Sequence, residues 1–370
     1  MIGTNCSGTN AVKYGTMKDW VINLTVVLAD GTVIKTRRRP RKSSAGYNLN
    51  GLFVGSEGTL GLVTEATLKL AVVPEDLSVA VVTFPSIRDA AAAAAEVMRA
   101  GVPVAAMEIM DEVQMRVVNL GGATAPRVWD EVPTLFFKFA GTRAGVRENI
   151  GTVQRIARRN GGGRFEFAKD ATEQKLLWSA RKESLWSMLA LRREGEEVCE
   201  FCRAQTGPPH LSFSAFCLAR SLQVVALLGH WPDGLFFQLI LAVEDRCGSE
   251  LADGHLGSTD VAVPFSRLAD IIEVSKKEMD DLGLFASILG HIGDGNFHES
   301  ILYNPINGER EKVEQCVKKM VRRALDMEGT CTGEHSIGWG KKESLLWEVG
   351  PETLAVMRAI KAALDPYWIM

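Results

Sequence analysis

Long apolar runs and a strong excess of charge are both missing from this sequence. No stretch reaches the length that spans a membrane, and the first residues show neither a signal peptide nor an Arg-rich transit segment. The net charge of −3 and the pI near 6.1 give no reason to expect nucleic acid as a partner, and the basic run 36–42 is typical of a solvated loop. Seven cysteines are scattered without a disulfide framework, which favours a reducing compartment.

Histidine is also scarce, with six residues, yet two of them flank a strong turn signal. Asp294-Gly295 is a preferred pair for a two-residue type I′ hairpin turn. Such a turn would place His291 directly opposite His298, with Cβ atoms about 4.5–5.5 Å apart. Together with the carboxylate of Glu334, these imidazoles can hold a divalent metal with open positions. The alternative is a hairpin that carries two solvated or packed histidines.

The remaining pattern alternates strands with helices, which suits a chain of 370 residues with a sizeable core. Strands are predicted at 20–28, 32–36, 62–70, 78–84, 105–110, 134–140, 164–168 and 258–263. Helices are predicted at 86–100, 112–120, 143–160, from 171 to about 193, at 265–282, at 308–328 and after 342. This order with hairpins predicts an α+β fold whose antiparallel sheet is covered on one face.

Several segments together resemble a known family. They are Asn5–Asn10, Tyr14–Met17, Gly55–Gly61, Gly290–Glu299 and Gly333–His335. The combination is similar to the cytochrome-linked, FAD-dependent D-lactate dehydrogenases, a branch of the FAD enzymes with the vanillyl-alcohol-oxidase fold. The resemblance covers about residues 1–198 and 258–370.

The resemblance implies three regions. Residues 1–72 would be the C-terminal part of an FAD-binding domain of the vanillyl-alcohol-oxidase type. Residues 78–330 would form a substrate-binding cap domain with an antiparallel sheet covered by helices, and residues 331–370 would return to the FAD site. It also implies oxidation of D-lactate, or a close D-2-hydroxy acid, to the 2-oxo acid by hydride transfer to FAD. Electrons would pass to cytochrome c or a similar acceptor, and the location would be mitochondrial.

Site residues follow from the same resemblance. His291, His298 and Glu334 would bind zinc or manganese, His335 would be the catalytic base, and Arg181 would bind the substrate carboxylate. The residues implied to line FAD are Thr4, Cys6, Ser7, Gly8, Tyr14, Gly15, Glu57, Gly58, Gly61 and Val63. By themselves, the loops are also compatible with ordinary turn chemistry, and Arg181 with a surface arginine on a helix.

Alternative activities remain open within this reading. A D-2-hydroxyglutarate or glycolate dehydrogenase would differ around Arg181 and Ser300, and the short side chain of Ser300 favours a small monocarboxylate. A catalytically dead metal-binding or interaction module is the alternative from another class.

The chain departs from the family pattern in ways that bear on activity. The family carries a long FAD-binding region upstream, so Met1 is expected to fall inside that domain. Ser336 stands where the family usually has glycine, which would strain the segment if φ must be positive there. The family also continues beyond Met370. We therefore expect a fragment with weak or absent FAD binding and little turnover.

The segment 199–257 has no stable periodicity, although it contains four of the seven cysteines and three of the six histidines. A zinc module on Cys199 and Cys202 is conceivable, but the other cysteines lack paired spacing. Our hypothesis is an in-frame retained intron. Codons for Cys199-Glu200-Phe201 can contain a 5′ splice signal. Those for Leu256-Gly257 can contain the AG that ends an intron. Excision of fifty-eight codons would restore a tryptophan codon before Ser258.

Overall fold

The computed structural model describes residues 1–122, 124–191, 197–199, 259–305 and 308–370. The first part of the chain builds a small antiparallel sheet with strand order β2–β1–β3. Its elements are α1 (Ala11–Tyr14), α2 (Met17–Trp20), β1 (Val21–Val27), β2 (Val33–Lys35), α3 (Leu49–Phe53) and β3 (Leu62–Leu68). Leu24, Val26 and Phe53 are its buried core, because alternate side chains of β1 point to the same face.

The larger sheet has the order β7–β4–β6–β5–β10–β11–β8, with β9 also beside β11. Its strands are β4 (Asp76–Thr83), β5 (Ala106–Met110), β6 (Thr134–Gly141), β7 (Glu166–Phe167), β8 (Glu197–Cys199), β9 (Val261–Ala262), β10 (Phe285–Gly290) and β11 (Asn296–Tyr303). The helices are α4 (Ile87–Arg99), α5 (Glu112–Gly121), α6 (Arg143–Arg159), α7 (Ala171–Lys182), α8 (Ser184–Ala190), α9 (Leu268–Asp281), α10 (Glu309–Asp326) and α11 (Lys342–Leu364). Each pairing is antiparallel, and the predicted α+β class is confirmed.

Two details of the predicted fold are wrong. Every residue of β11 is buried, so at this strand both faces of the sheet are covered, whereas we predicted one. The helix predicted from 171 to about 193 is two helices, because the chain leaves helical geometry at Glu183 (φ −92°, ψ 1°). No helix among the described residues is long and apolar enough to cross a membrane.

β8 and β9 both lie antiparallel along the same strand, β11. Cys199 is opposite Ile301 in the first pairing, and Val261 is opposite Phe297 in the second. Thr259 extends the second pairing, because its hydroxyl donates to the carbonyl oxygen of Glu299 at 2.8 Å and accepts from its amide at 2.6 Å. The insert predicted at 199–257, together with any zinc module in it, lies outside the described residues except for the backbone of Cys199.

The hairpin between β10 and β11 differs from the predicted two-residue turn. A short 3₁₀ turn, Ile292–Asp294, precedes Gly295, which ends it in the left-handed conformation (φ 74°). The ladder therefore places Leu289, not His291, opposite His298. The prediction failed because the Asp-Gly signal also fits the end of a 3₁₀ turn, where glycine accommodates the positive φ.

Candidate active site

The two histidines of the hairpin meet although they are not ladder partners. Their rings lie edge to face with centroids 5.7 Å apart, and both side chains are almost completely buried. Behind His291, Nδ1 lies 2.8 Å from the carboxylate of Glu108. Behind His298, Nδ1 lies 3.3 Å from the carbonyl oxygen of Thr259. Since both neighbours are acceptors, Nδ1 of each ring carries the proton and Nε2 is the nitrogen left for a metal.

Glu334 brings the third donor to this place. Its Oε1 lies 2.9 Å from Nε2 of His291 and 3.5 Å from Nε2 of His298. One ligand atom from each residue lies within 4.8 Å of the others, so the two imidazoles and one carboxylate fit a divalent ion. The structure thus brings together the three residues that the sequence predicted as ligands; that they bind a metal stays a prediction.

The protonation of this cluster reflects its crowded carboxylates. Burial alone would lower the pKa of His291, but the charge of Glu108 and its hydrogen bond, with that of Glu334, outweigh burial and raise this pKa to about 10. Burial would likewise raise the pKa of Glu334, but the hydrogen bond and charge of His291 and the hydrogen bond from Ser7 hold it well below its usual range. In the metal-free protein, a positively charged His291 therefore balances the carboxylates that a metal would otherwise neutralise.

His335 follows Glu334 directly and stacks on His298, with ring centroids 4.9 Å apart and planes 10° apart. Burial lowers the pKa of His335 to about 4 and outweighs the charge of Asp260, which would raise it. Its imidazole is therefore neutral at physiological pH, as a general base requires. Nε2 of His335 lies on the side of Glu334, 3.8 Å from Oε1.

The glycine-containing loops reach the same cluster. The hydroxyl of Ser7 donates to Oε2 of Glu334 at 2.6 Å, and the hydroxyl of Ser336 donates to the carbonyl oxygen of Thr4 at 3.1 Å. The carboxylate of Glu57 accepts from the backbone amides of Ile337 and Gly338 at 3.0 and 2.9 Å. Three segments that are distant in sequence thus converge on Glu334 and its neighbours.

The other residues predicted to line FAD divide into two groups. Gly8 and Gly58 border open space, since a Cβ at either would meet no atom within 4 Å, and such bare backbone fits a cofactor that lies against the main chain. Cys6 is partly exposed, and Tyr14 packs edge to face on Trp20.

Two of the glycines face protein instead. A Cβ at Gly15 would collide with the side chain of Asp19, and one at Gly61 would come within 2.7 Å of Val26. Val63 packs on the same small core as Val26. These contacts account for Gly15, Gly61 and Val63 by packing, and their role in binding FAD stays a prediction.

Arg181 lies near the end of α7 and is connected to the histidine cluster through one intervening side chain, that of Glu108. Its Nε donates to Oε2 of Glu108 at 2.7 Å, the same carboxylate that faces His291. Its Nη1 reaches the hydroxyl of Ser184 at 3.4 Å. The structure therefore places Arg181 next to the site through Glu108, and its contact with a substrate carboxylate stays a prediction.

Sequence reasoning missed two buried carboxylates, Glu108 and Asp260. Both are completely shielded from solvent, and each touches two or more of the predicted site residues. A signal existed for Glu108, because it is the only charged residue in the apolar strand β5 and a buried charge needs a partner. Asp260 had no comparable signal, because its partners in 332–335 come from a segment without regular structure.

The fold defined by these elements is that of FAD-dependent oxidases. A solved structure of 4-ethylphenol oxidase from Gulosibacter chungangensis matches with a TM-score of 0.58 and 16% identity, over 96% of this chain and 67% of that one. The predicted vanillyl-alcohol-oxidase type of fold is thereby confirmed.

Sequence comparison identifies the family. The model for the C-terminal domain of FAD linked oxidases matches residues 73–203 and 239–370, and an FAD binding domain matches residues 1–37. The chain belongs to the FAD-linked oxidase family. It is 44% identical over 370 residues to the mitochondrial D-lactate dehydrogenase [cytochrome] of Kluyveromyces lactis, and 40% identical over 372 residues to that of Arabidopsis thaliana. Each match covers 100% of this chain and 54% of the relative, so the chain spans about half the length of these relatives.

Proposed function

We propose that this chain acts in the oxidation of D-lactate, or a close D-2-hydroxy acid, to the 2-oxo acid, with FAD as the hydride acceptor. The proposal is supported by family membership and by the names of the two relatives above. The observation that carries it is the hydrogen bond between Ser7, on a loop expected at the flavin, and Glu334, an expected metal ligand. This bond supports a site in which the flavin and the metal would act on one substrate.

The residues have separate roles in this reaction. His291, His298 and Glu334 would hold zinc or manganese, which when bound lowers the pKa of the substrate hydroxyl. Neutral His335 takes the hydroxyl proton at Nε2, the ring nitrogen on the side of Glu334. A bound FAD would supply the acceptor for the hydride on C2 of the substrate. Glu108 and the Thr259 carbonyl keep the Nε2 atoms of the two histidines turned toward the site.

Ser300 is the residue we propose to limit substrate size. It lies two positions after His298 on β11, so both side chains point to the same face. The side chain is completely buried, and among the described residues its hydroxyl has no hydrogen-bond partner. A short, unpaired hydroxyl suits a small monocarboxylate, whereas D-2-hydroxyglutarate would need a basic or amide group for its second carboxylate. Arg181 is the candidate for the first carboxylate.

The electron acceptor and cellular location follow from the relatives. Their names specify a cytochrome and the mitochondrion, so we propose that electrons leave the reduced flavin for cytochrome c or a similar acceptor in that compartment.

The decisive experiment is anaerobic flavin reduction. Purified protein is supplied with FAD and a divalent metal, then mixed with D-lactate, L-lactate, glycolate or D-2-hydroxyglutarate while flavin absorbance is followed. Any bleaching should follow D-lactate only, should pass electrons to added cytochrome c, and should be about 10²–10⁴ slower in His335→Gln. Preferential bleaching by D-2-hydroxyglutarate or glycolate would reassign the substrate. Metal binding without any FAD binding would favour the inactive metal-binding module instead.

A further inference from the structure

Asp260 holds the segment that carries both Glu334 and His335. Its Oδ2 accepts hydrogen bonds from the amides of Glu334 and His335, at 2.9 and 2.8 Å, and from the hydroxyl of Thr332 at 2.8 Å. Its own carbonyl oxygen accepts from the amide of Gly333 at 2.8 Å. Four consecutive residues, 332–335, thus share one anchor. The segment has no helix or strand of its own, so its backbone amides depend on this carboxylate.

Asp260 itself is rigidly placed. It lies between Thr259, which bonds to the backbone of Glu299 through its hydroxyl, and Val261, which pairs with Phe297. The side-chain amide of Asn296 donates through Nδ2 to Oδ1 of Asp260 at 2.8 Å. Asp260 therefore connects β11, the strand that carries His298, to the segment that carries Glu334 and His335.

A direct ligand role for Asp260 is less consistent with its surroundings. Asp260, His298 and His335 form a second group close enough for a metal, with Oδ1 of Asp260 3.6 Å from Nδ1 of His298. However, the carbonyl of Thr259 requires a proton on that Nδ1, and a protonated nitrogen cannot bind a metal. Oδ2 of Asp260 is already occupied by three donors.

We propose that Asp260 is a positioning residue that fixes Glu334 as a metal ligand and His335 as the base, through their backbone amides. This inference rests on the proposed function for the role of His335. Its consequence for Glu334 is independent of catalysis, because ligand geometry can be measured through metal affinity alone. Outer contacts of this kind typically change metal affinity about 10–100-fold when they are removed.

The test is a titration of the full chain with Mn²⁺, followed by the loss of the free-ion EPR signal. Asp260→Asn keeps the size of the side chain but removes the negative charge that three donors share, and we expect about 10–100-fold weaker Mn²⁺ binding. Asp281→Asn, an exposed aspartate at the end of α9, is the matched control and should bind like the parent. Thermal unfolding measured in parallel restricts the comparison to temperatures at which every variant is folded.

A milder variant keeps the inference testable if Asp260→Asn does not fold. Thr332→Val removes one donor to Oδ2 at nearly constant volume and should weaken Mn²⁺ binding by about threefold to tenfold. Unchanged Mn²⁺ affinity in either folded variant would overturn the positioning role. In protein that turns over D-lactate, Asp260→Asn should lower kcat more than it changes KM. If no variant or parent turns over, the proposed function fails while the Mn²⁺ result still decides the role of Asp260.

A second, independent observation concerns the interrupted edge of the large sheet. Cys199 lies opposite Ile301 on β11. Val261 lies opposite Phe297, so the same antiparallel register places Thr259 opposite Glu299. Only one strand position, opposite Ser300, separates them. The sequence offers fifty-nine residues, 200–258, for that position, and the match to the family model leaves out residues 204–238. We infer that residues 200–257 interrupt one strand, which closes in register when those fifty-eight residues are removed.

Deletion variants of the chain test this register. Removal of 200–257 joins Cys199 to Ser258 and should leave thermal stability equal or higher, with Mn²⁺ affinity within about twofold of the parent. Removal of 200–256 leaves one extra residue and is the matched control, because a slip of one residue turns every following side chain to the other face. It should be less stable and bind Mn²⁺ more weakly. Unfolding of the first deletion, or equal behaviour of both, would overturn the inference.

Discussion

Ser336 adopts the left-handed conformation, with φ of +66°, one residue after the proposed base. A side chain in this region costs about 1–2 kcal/mol relative to the ordinary conformations, and the hydrogen bond from its hydroxyl to Thr4 is exposed. The sequence predicted strain here if φ had to be positive, and the structure confirms that it is. Backbone strain is therefore stored in the segment that carries the site.

Replacement of Ser336 by glycine should release this strain. We expect Ser336→Gly to be about 0.5–1 kcal/mol more stable in chemical denaturation, because glycine accepts positive φ without a Cβ clash. Ser336→Ala is the control: it keeps the Cβ and loses the hydroxyl, so it should be no more stable than the parent. Equal stability of the glycine and alanine variants would show that the conformation carries no such cost.

Glu108 offers a residue-scale test of the metal cluster. Glu108→Gln removes the charge behind His291 and also leaves Arg181 without its ion pair. Metal affinity should fall about 10–100-fold, since the carboxylate fixes the tautomer and orientation of the ligand. Glu148→Gln, at an exposed position on α6, should bind metal like the parent. Calorimetric titration with zinc measures both, and parent-like affinity in Glu108→Gln would contradict this role.

The residue scale also shows what the sequence could and could not supply. The grouping of His291, His298 and Glu334 was predictable because short segments of a recognised family carry all three. Asp260 and Glu108 were missed because their importance lies in contacts with residues far away in the chain. A strand such as β5 shows only that a charge is buried, not which histidine it faces.

At the scale of elements, most strands and helices lie within a few residues of their predicted positions. Periodicity sufficed for α4 and α6, whose apolar faces are long and regular. It failed where a helix breaks without proline or glycine, at Glu183, and where a strand is too short to show alternation, as β8 is with three residues. Those features depend on tertiary contacts, since α8 packs on α5 and β8 pairs with β11.

The close approach of β10 and β11 gives an element-scale prediction. A Cβ at Gly290 would lie 2.5 Å from Cα of Phe297 and 2.7 Å from the carbonyl oxygen of Asn296. Gly290→Ala should therefore destabilise the protein by about 1–3 kcal/mol through overpacking.

Gly151 supplies the opposite case. It lies within α6, where an added Cβ meets only the flexible end of Arg155 at 3.7 Å. Gly151→Ala should raise stability by about 0.5–1 kcal/mol, because alanine favours the helix. Urea denaturation of both variants measures the two changes in the free energy of unfolding, which should have opposite signs. A Gly290→Ala protein as stable as the parent would contradict the close approach of β10 and β11.

The origin of the interrupted strand can be read from the transcript. The codons around 199 and 257 can encode splice signals fifty-eight codons apart, and the register of β8 and β9 on β11 requires removal of the same number of residues. Sequencing of the transcript across codons 190–265 should yield a product shorter by fifty-eight codons. A transcript with every one of these codons and no shorter form would count against a retained intron.

At the scale of the whole molecule, His291 links folding stability to pH. Its pKa is raised to about 10 in the folded metal-free protein, against about 6.5 in an unfolded chain. The stabilisation is therefore complete below about pH 6.5 and is lost as pH rises toward 10.

Denaturation of metal-free protein should detect this loss, on the order of 4 kcal/mol between pH 6.5 and 10. Buried Glu299, whose pKa burial raises to about 8, contributes in the same direction. His291→Gln separates the two, because it removes only the histidine contribution and should show a flatter profile. Parent and variant profiles of equal slope would contradict the charged state of His291.

The bond between Ser7 and Glu334 joins residues 327 positions apart. A ligand that orders either end of this bond lowers the cost of ordering the other, so the occupants of the two loops become energetically coupled. For FAD and a metal bound as proposed, this coupling would be reciprocal: the factor by which metal tightened FAD binding would equal the factor by which FAD tightened metal binding. The protein would then fill its site cooperatively, with half-loaded species scarce relative to the empty and fully loaded forms.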